Sequence, residues 1–348
     1  MTQFKDTPEK LVDKGRVVDY GLFKEPFKDL NIREAQIFET RTPEFLRNLR
    51  IKEWQHYAII NDEFFMGFVI NNNHYLGMSF CYVYERDNKR FVEHHMETPL
   101  PVAKVANELW NDACHFNRPG YNLVFHNQLN QKHHKIEIAV EPQKGKPGIF
   151  ANLELLEDLD SMQPLITVLP LGDNRPLYTH KMVCPVSGSI RLGDREVELK
   201  PEKDIGLIDV QKTYYPYNTF WNWATLGGRD SKGRIIGLNL VQNIIKDDET
   251  HNENVIWVDG KLSKISAARF TIDDSDYMKP WKIETTDGRC KLTFTPIGER
   301  AERINMGLIL SDYHQPYGIY EGELTDDAGE THKVDGFFGV TEKHLARF

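Results

Sequence analysis

Residues 214–240, YYPYNTFWNWATLGGRDSKGRIIGLNL, and 252–261, NENVIWVDGK, decide how this chain is read. Apolar and polar residues alternate along both and Gly punctuates them, the pattern of strands joined by turns. Tyr214, Tyr215, Tyr217, Trp221 and Trp223 stand beside Asn222, Asp230, Asn239, Asn252, Glu253 and Asn254. Rings give broad apolar walls, and amides and carboxylates give directional hydrogen bonds, the mixture that a small-molecule pocket needs. Trp221 and Trp223 alternate and so share one strand face. Asn239 faces with Gly237 and Val241, away from Leu238 and Leu240.

Working outward, most of the chain is strand-like. Gly67–Ile70, Ser79–Tyr84, Ile136–Val140, Lys291–Thr295 and Gly307–Leu310 are short, β-branched or aromatic, and bounded by turn residues. Gly193-Asp194, Asp259-Gly260, Asp287-Gly288 and Asp327–Gly329 read as hairpin tips. Helix is expected in two places only. One is 101–113, where Val102, Val105, Ala106, Leu109 and Trp110 recur at spacings of three and four; the other is 43–54, opened by Pro43 ahead of Phe45, Leu46 and Leu49. A faint repeat sets Trp54, Gly67–Ile70 and Cys81–Glu85 against Trp221, Gly237–Leu240 and Val255–Asp259. These features predict an all-β chain of two tandem antiparallel barrels or sandwiches with few short helices. The division falls between residues 1–175 and 176–348, in a joint carrying Pro170, Gly172 and Pro176.

Composition narrows the functions. A length of 348 residues suits two domains. The net charge of −9 and a pI near 5.8 argue against a nucleic-acid partner. No apolar run approaches the ~18 residues of a membrane span, and the opening MTQFKDTPEK is no signal peptide. A cytoplasmic protein follows, with Cys81, Cys114, Cys184 and Cys290 reduced, since none forms a close pair. His94-His95 and His133-His134 are split across strand faces, so no metal site is expected. There is no phosphate loop, dinucleotide fingerprint or Gly-x-Ser-x-Gly, so no cofactor is expected either. The partner is a small molecule; the oligomeric state is not legible.

The order His180-Lys181, Asp209, Tyr214, Thr219–Ala224, Gly228, Gly237–Leu240, Asn252–Asn254, Trp257, Asp259–Lys261, Pro280-Trp281, Asp287-Gly288, Gln315, Gly318 and Gly339-x-x-Glu342 resembles the bacterial family of domain of unknown function 2804. That family is distantly similar to the two-barrel, lipocalin-like superfamily of carotenoid hydratases (hydroxyneurosporene synthase type). The resemblance implies tandem calycin-like barrels with a ligand pocket, and carries no catalytic residue with it.

Acid/base candidates are Glu253, whose amide-rich loop adjoins the aromatic stretch, Asp209, and His180, titrating near neutrality. Ligand-binding candidates are Tyr214, Trp221, Trp223, Asn239, Asn252, Asn254 and Trp257. Each has a plainer reading: a Trp pair closing a barrel end, Asn252–Asn254 capping their own loop, Asp230 holding a hairpin turn, His180-Lys181 sitting in a linker. The expected function is a cofactor-independent hydratase, isomerase or lyase acting on an apolar or cyclic substrate. The alternatives are a non-catalytic carrier of a lipid-like ligand and a glycan-active enzyme using a carboxylate. A titratable group inside the pocket separates an enzyme from a carrier.

Overall fold

The alternation of the sequence becomes antiparallel strand almost throughout. The computed structural model describes residues 2–38, 42–99 and 102–347. The chain divides into two compact units, one of Asp6–Val168 with Asn174–Tyr214, the other of Met1–Lys5, Leu169–Asp173 and Tyr215–Phe348.

The first unit opens with β1 (Val12–Asp13), β2 (Arg16–Val17), β3 (Gly21–Leu22) and the short helix α1 (Glu44–Asn48). Then follow β4 (Lys52–Ile60), β5 (Phe64–Asn72), β6 (Leu76–Glu85), β7 (Arg90–Pro99), β8 (Asp112–Arg118), β9 (Tyr121–Gln128), β10 (His133–Val140) and β11 (Ile149–Leu156). β12 (Leu165–Pro170), β13 (Pro176–Leu192), β14 (Arg195–Leu199) and β15 (Ile205–Thr213) complete it. Its sheet runs β7-β6-β5-β4-β15-β13-β11-β10-β9-β8, with β12 and β14 also on β13. The second unit has β16 (Asn218–Arg229), β17 (Ile235–Asn243), β18 (Val255–Val258), β19 (Lys261–Lys264), β20 (Ala268–Thr271), β21 (Trp281–Thr285), β22 (Cys290–Asn305), β23 (Leu310–Thr325) and β24 (Thr331–Arg347). Their order is β19-β18-β17-β16-β24-β23-β22-β21-β20. The last strand therefore sits beside the strand that opens the unit.

Both faces of these central strands are buried. In the second unit Ala224, Leu226, Ile236, Leu238, Leu240 and Ile256 pack with Trp281, Phe294, Tyr320 and Phe337 on one face. We call this the apolar face and its opposite the mixed face. In the first unit Tyr57 meets Phe68 and Phe125 at ring distances of 5.5 and 5.2 Å on the apolar face. All four cysteines are free and buried.

Four expectations are corrected. The units do not part at 175/176, because β13, β14 and β15 complete the first sheet and carry that unit to Tyr214. Residues 102–111 form no helix (Pro101 lies outside the described residues). Their backbone bonds go across the chain instead: Lys104 exchanges both with His115, and Leu109 and Trp110 carbonyls accept from Leu129 and Asn130. The helix expected over 43–54 ends at Asn48, because from Lys52 onward the backbone joins β15. Of Gly307–Leu310 only Leu310 is strand, the first residue of β23; the rest is the tip of the β22–β23 hairpin, with Gly307 at φ +75°.

β13 leaves its β15 pairing at Pro185, takes up β11 from Val186 and is joined by β14 from Gly188 on. At Gly188, with φ +115°, an added Cβ meets the Asn152 carbonyl oxygen at 2.0 Å, backbone that cannot yield. Gly188→Ala is expected to cost about 2 kcal/mol or more of stability in urea denaturation. An unchanged midpoint contradicts this account of Gly188.

Candidate functional site

The mixed face of the second unit is built by three strands. Across β16 and β17, Trp221 pairs with Asn243, Trp223 with Val241 and Thr225 with Asn239. These residues share one face, and the Trp223 indole donates to Asn239 Oδ1 at 2.7 Å. Asn239 Nδ2 donates in turn to the Glu253 carbonyl at 2.8 Å. Register sets Trp257, opposite Gly237, on the same face. Strand alternation thus brings Trp221, Trp223, Asn239 and Trp257 together, with Glu253 entering from the loop before β18.

That loop is organised by its own amides. Asn252 Nδ2 donates to the Asp248 carbonyl at 2.7 Å and its Oδ1 accepts from the Asn254 N–H at 2.9 Å. Asn254 Oδ1 accepts from the Val241 N–H at 2.7 Å and Nδ2 donates to the Ser266 carbonyl at 2.9 Å. Lys264 Nζ binds Asn252 Oδ1 and the Asn254 carbonyl. Burial pulls the Lys264 ammonium down to about 7, although Glu253 and Asp287 oppose the shift. Both carboxamides therefore hold loop backbone. Asp230 likewise holds its hairpin turn, accepting from the Lys232 and Arg234 N–H groups at 2.9 Å.

The sequence reading missed the chemical centre of this face. Glu342 on β24 lies opposite Trp223. Its Oε1 accepts from the Trp221 indole at 2.8 Å, and its Oε2 faces the Tyr313 hydroxyl at 3.3 Å and Gln315 Nε2 at 3.5 Å. His344, two residues on, stands edge-on to Trp221 at 4.3 Å and to Tyr313 at 5.2 Å between ring centres. Tyr215 stacks on Trp221 at 5.3 Å. Burial, then the nearby His314 and Arg300, push the His344 imidazole down to about 3, so it is neutral at ordinary pH. Arg300, 4% exposed, lies 5.2 Å over the Tyr313 ring. The available signal was the Gly339-x-x-Glu342 spacing and Gln315. Their pairing with a strand some 120 residues earlier is what one-dimensional pattern does not carry.

The remaining candidates belong to the first unit. His180 and Lys181 are not linker residues but neighbours on β13, facing opposite ways. His180 Nε2 meets Glu157 Oε1 at 2.7 Å, and His134 Nε2 meets Glu157 Oε2 at 2.8 Å, all three at 0% exposure. The chain continues through Asn127, 3.0 Å from His134 Nδ1, to Gln55 and the Cys114 thiol. Asp209 lies on the mixed face, 3.3 Å from Lys181 Nζ and accepting from Trp54. Burial raises its carboxyl above the usual range, against the pull of Lys181. Tyr214 is fully buried in an apolar cluster with Phe23, Phe27 and Tyr178. The faint repeat is visible here. Trp54 hooks Asp209, which pairs with His56, as Trp221 hooks Glu342, which pairs with Trp223.

The chain belongs to the family described as Domain of unknown function (DUF2804), whose model matches residues 2–348. No curated protein sequence matches it significantly. Among solved structures it is similar to CghA, at a TM-score of 0.55 and 8% identity over 86% of this chain and 89% of that one. It also matches an AttH protein from Nitrosomonas europaea (TM-score 0.47, 12% identity, 89% and 97% covered) and kievitone hydratase from Nectria haematococca (0.47, 9%, 85% and 88%). The likeness to CghA is one of fold, and the fold of this chain is two curled antiparallel half-barrel sheets. Among the described residues no helix is long and apolar enough to cross a membrane.

The buried Glu157 carboxylate gives a pH prediction. Burial raises its pKa, but the charge of His180 and the hydrogen bonds from His134 and His180 outweigh this, leaving it near 2 against 4.5 for a free side chain. A depressed carboxyl stabilises the fold fully above pH 4.5, and that contribution fades as pH falls through 2. Glu157→Gln is expected to cost about 1–3 kcal/mol at pH 7, as leaving buried hydrogen-bond partners unsatisfied does. It should also flatten the loss of stability between pH 4.5 and 2, read by denaturant titration across pH. The same acid slope in both proteins contradicts the assignment.

Proposed function

We propose that the protein is a small-molecule-binding, cofactor-independent enzyme of the hydratase, isomerase or lyase type, with Glu342 as its acid/base. The observation that carries this reading is the setting of Glu342: a carboxylate inside an aromatic enclosure of Tyr215, Trp221, Tyr313 and a neutral His344. Such walls suit an apolar or cyclic substrate. Its two oxygens are held unequally. Oε1 accepts from the indole at 2.8 Å, whereas Oε2 faces the Tyr313 hydroxyl at 3.3 Å and Gln315 at 3.5 Å, and we assign to Oε2 the proton taken from carbon or water. Tyr313, beside the same oxygen, is placed to return a proton. Trp223, tied to Asn239 and through it to the Glu253 carbonyl, fixes the floor on which the substrate rests.

Glu253 is a weaker candidate, because what its loop supplies to this face is a backbone carbonyl. Asp209 has the raised carboxyl of a general acid and keeps that role as a candidate in the first unit. A carrier with its ligand inside the second sheet is disfavoured, since Trp281, Phe294, Tyr320 and Phe337 fill that apolar face.

The test begins with native mass spectrometry of the purified protein, to identify any small molecule that it retains. Wild type is expected to convert it when incubated in excess, and Glu342→Gln to bind it within about threefold while turnover falls by about 100-fold or more. Equal turnover in both proteins overturns the role of Glu342, and none in either leaves the carrier reading.

A further inference from the structure

The mixed face of the first unit carries buried polar groups that the protein itself leaves unsatisfied. Across β5, β4, β15 and β13 the register sets Asn71 opposite Trp54, Trp54 opposite Gln211, and Gln211 opposite Thr179. One step along, Lys52 pairs with Thr213; one step the other way, Asp209 stands between His56 and Lys181. Thr179 and Thr213 are both 0% exposed. Their hydroxyls and Asn71 Oδ1 have no hydrogen-bond partner among the described residues. Some other buried strand hydroxyls find one, Ser79 donating to the Val69 carbonyl at 2.7 Å and Thr225 to the Leu238 carbonyl at 2.8 Å, whereas Thr219 and Thr341 in the second unit do not. Buried polar atoms are ordinarily paired, so three unmade hydrogen bonds within the span from β5 to β13 are a concession concentrated on one face.

We propose that this face is a second binding site, for a small neutral polyhydroxylated molecule, a polyol or a monosaccharide. The chemistry of the donors and acceptors selects that class. Each threonine hydroxyl both donates and accepts, Asn71 Oδ1 accepts, and the Lys181–Asp209 pair beside them, 3.3 Å apart, offers one donor and one acceptor. A ligand hydroxyl also does both, so a row of them meets every member of the set. An anion would face the Asp209 carboxylate and a cation the Lys181 ammonium. A hydrocarbon would leave the three atoms unsatisfied. The site belongs to the first unit, and its assignment does not depend on the function given to Glu342.

Saturation-transfer NMR and calorimetry on the full chain, with glycerol, D-ribose, D-glucose and myo-inositol as probes, test the proposal. At least one probe is expected to bind saturably, and Thr179→Val/Thr213→Val to weaken it tenfold or more. The double variant removes only unsatisfied hydroxyls, so its Tm should match or exceed that of wild type. Should it not fold, the single variants Thr179→Val and Thr213→Val are each expected to weaken binding measurably. Glu342→Gln should bind the probe as wild type does, which keeps this result distinct from the fate of the Glu342 assignment. Failure of all four probes to saturate overturns the proposal, as does unchanged binding in the threonine variants.

Discussion

An antiparallel strand has two faces and a period of two, and in the central strands of this chain both faces are buried. Everything else depends on how that constraint is met. In β16 and β17 one face is apolar and continuous with the core of its sheet, while the other holds Trp221, Trp223, Asn239 and, across β24, Glu342. A one-residue slip of β16 would exchange the two faces. The indole of Trp223 on Asn239 and that of Trp221 on Glu342 guard against it, because a slipped strand would bury an unpaired carboxylate against hydrocarbon.

The same solution occurs in both units with different chemistry attached. Each sheet hooks a tryptophan N–H onto a carboxylate of the neighbouring strand, opposite the residue two further along. In the second unit the hooked carboxylate is enclosed by rings and a neutral imidazole; in the first it is paired with Lys181 and raised by burial. The interiors differ as well. The apolar face of the second sheet is filled by hydrocarbon, whereas that of the first carries the chain from His180 through Glu157, His134 and Asn127 to Gln55. Buried polar chains of this kind fix a unique arrangement when every link is made.

Much of this was legible before any coordinates. The alternation of Trp221 and Trp223, the outlying Asn239 and the Gly-marked hairpin tips are local signals, and each reads through to the fold. The helix expected at 101–113 failed because its apolar spacing was answered by long-range backbone partners, His115, Leu129 and Asn130, that outcompete local hydrogen bonds. The division near 175 failed because Pro and Gly mark a break in the chain's direction, not in the sheet: β13 still completes the sheet of the first unit. Glu342 escaped for a third reason. A carboxylate near the C-terminus looks like any exposed glutamate until β24 is laid against β16, which only the assembled sheet discloses.

The central claim is that the mixed face of β16, β17 and β24 receives the ligand. Indole ¹H–¹⁵N spectra test it most directly, since the chain has six tryptophans spread over both kinds of face. Titration with the co-purified molecule should move the Trp221 and Trp223 resonances and leave that of Trp281, in the apolar core, in place. Movement at Trp281 with Trp221 and Trp223 still would contradict it.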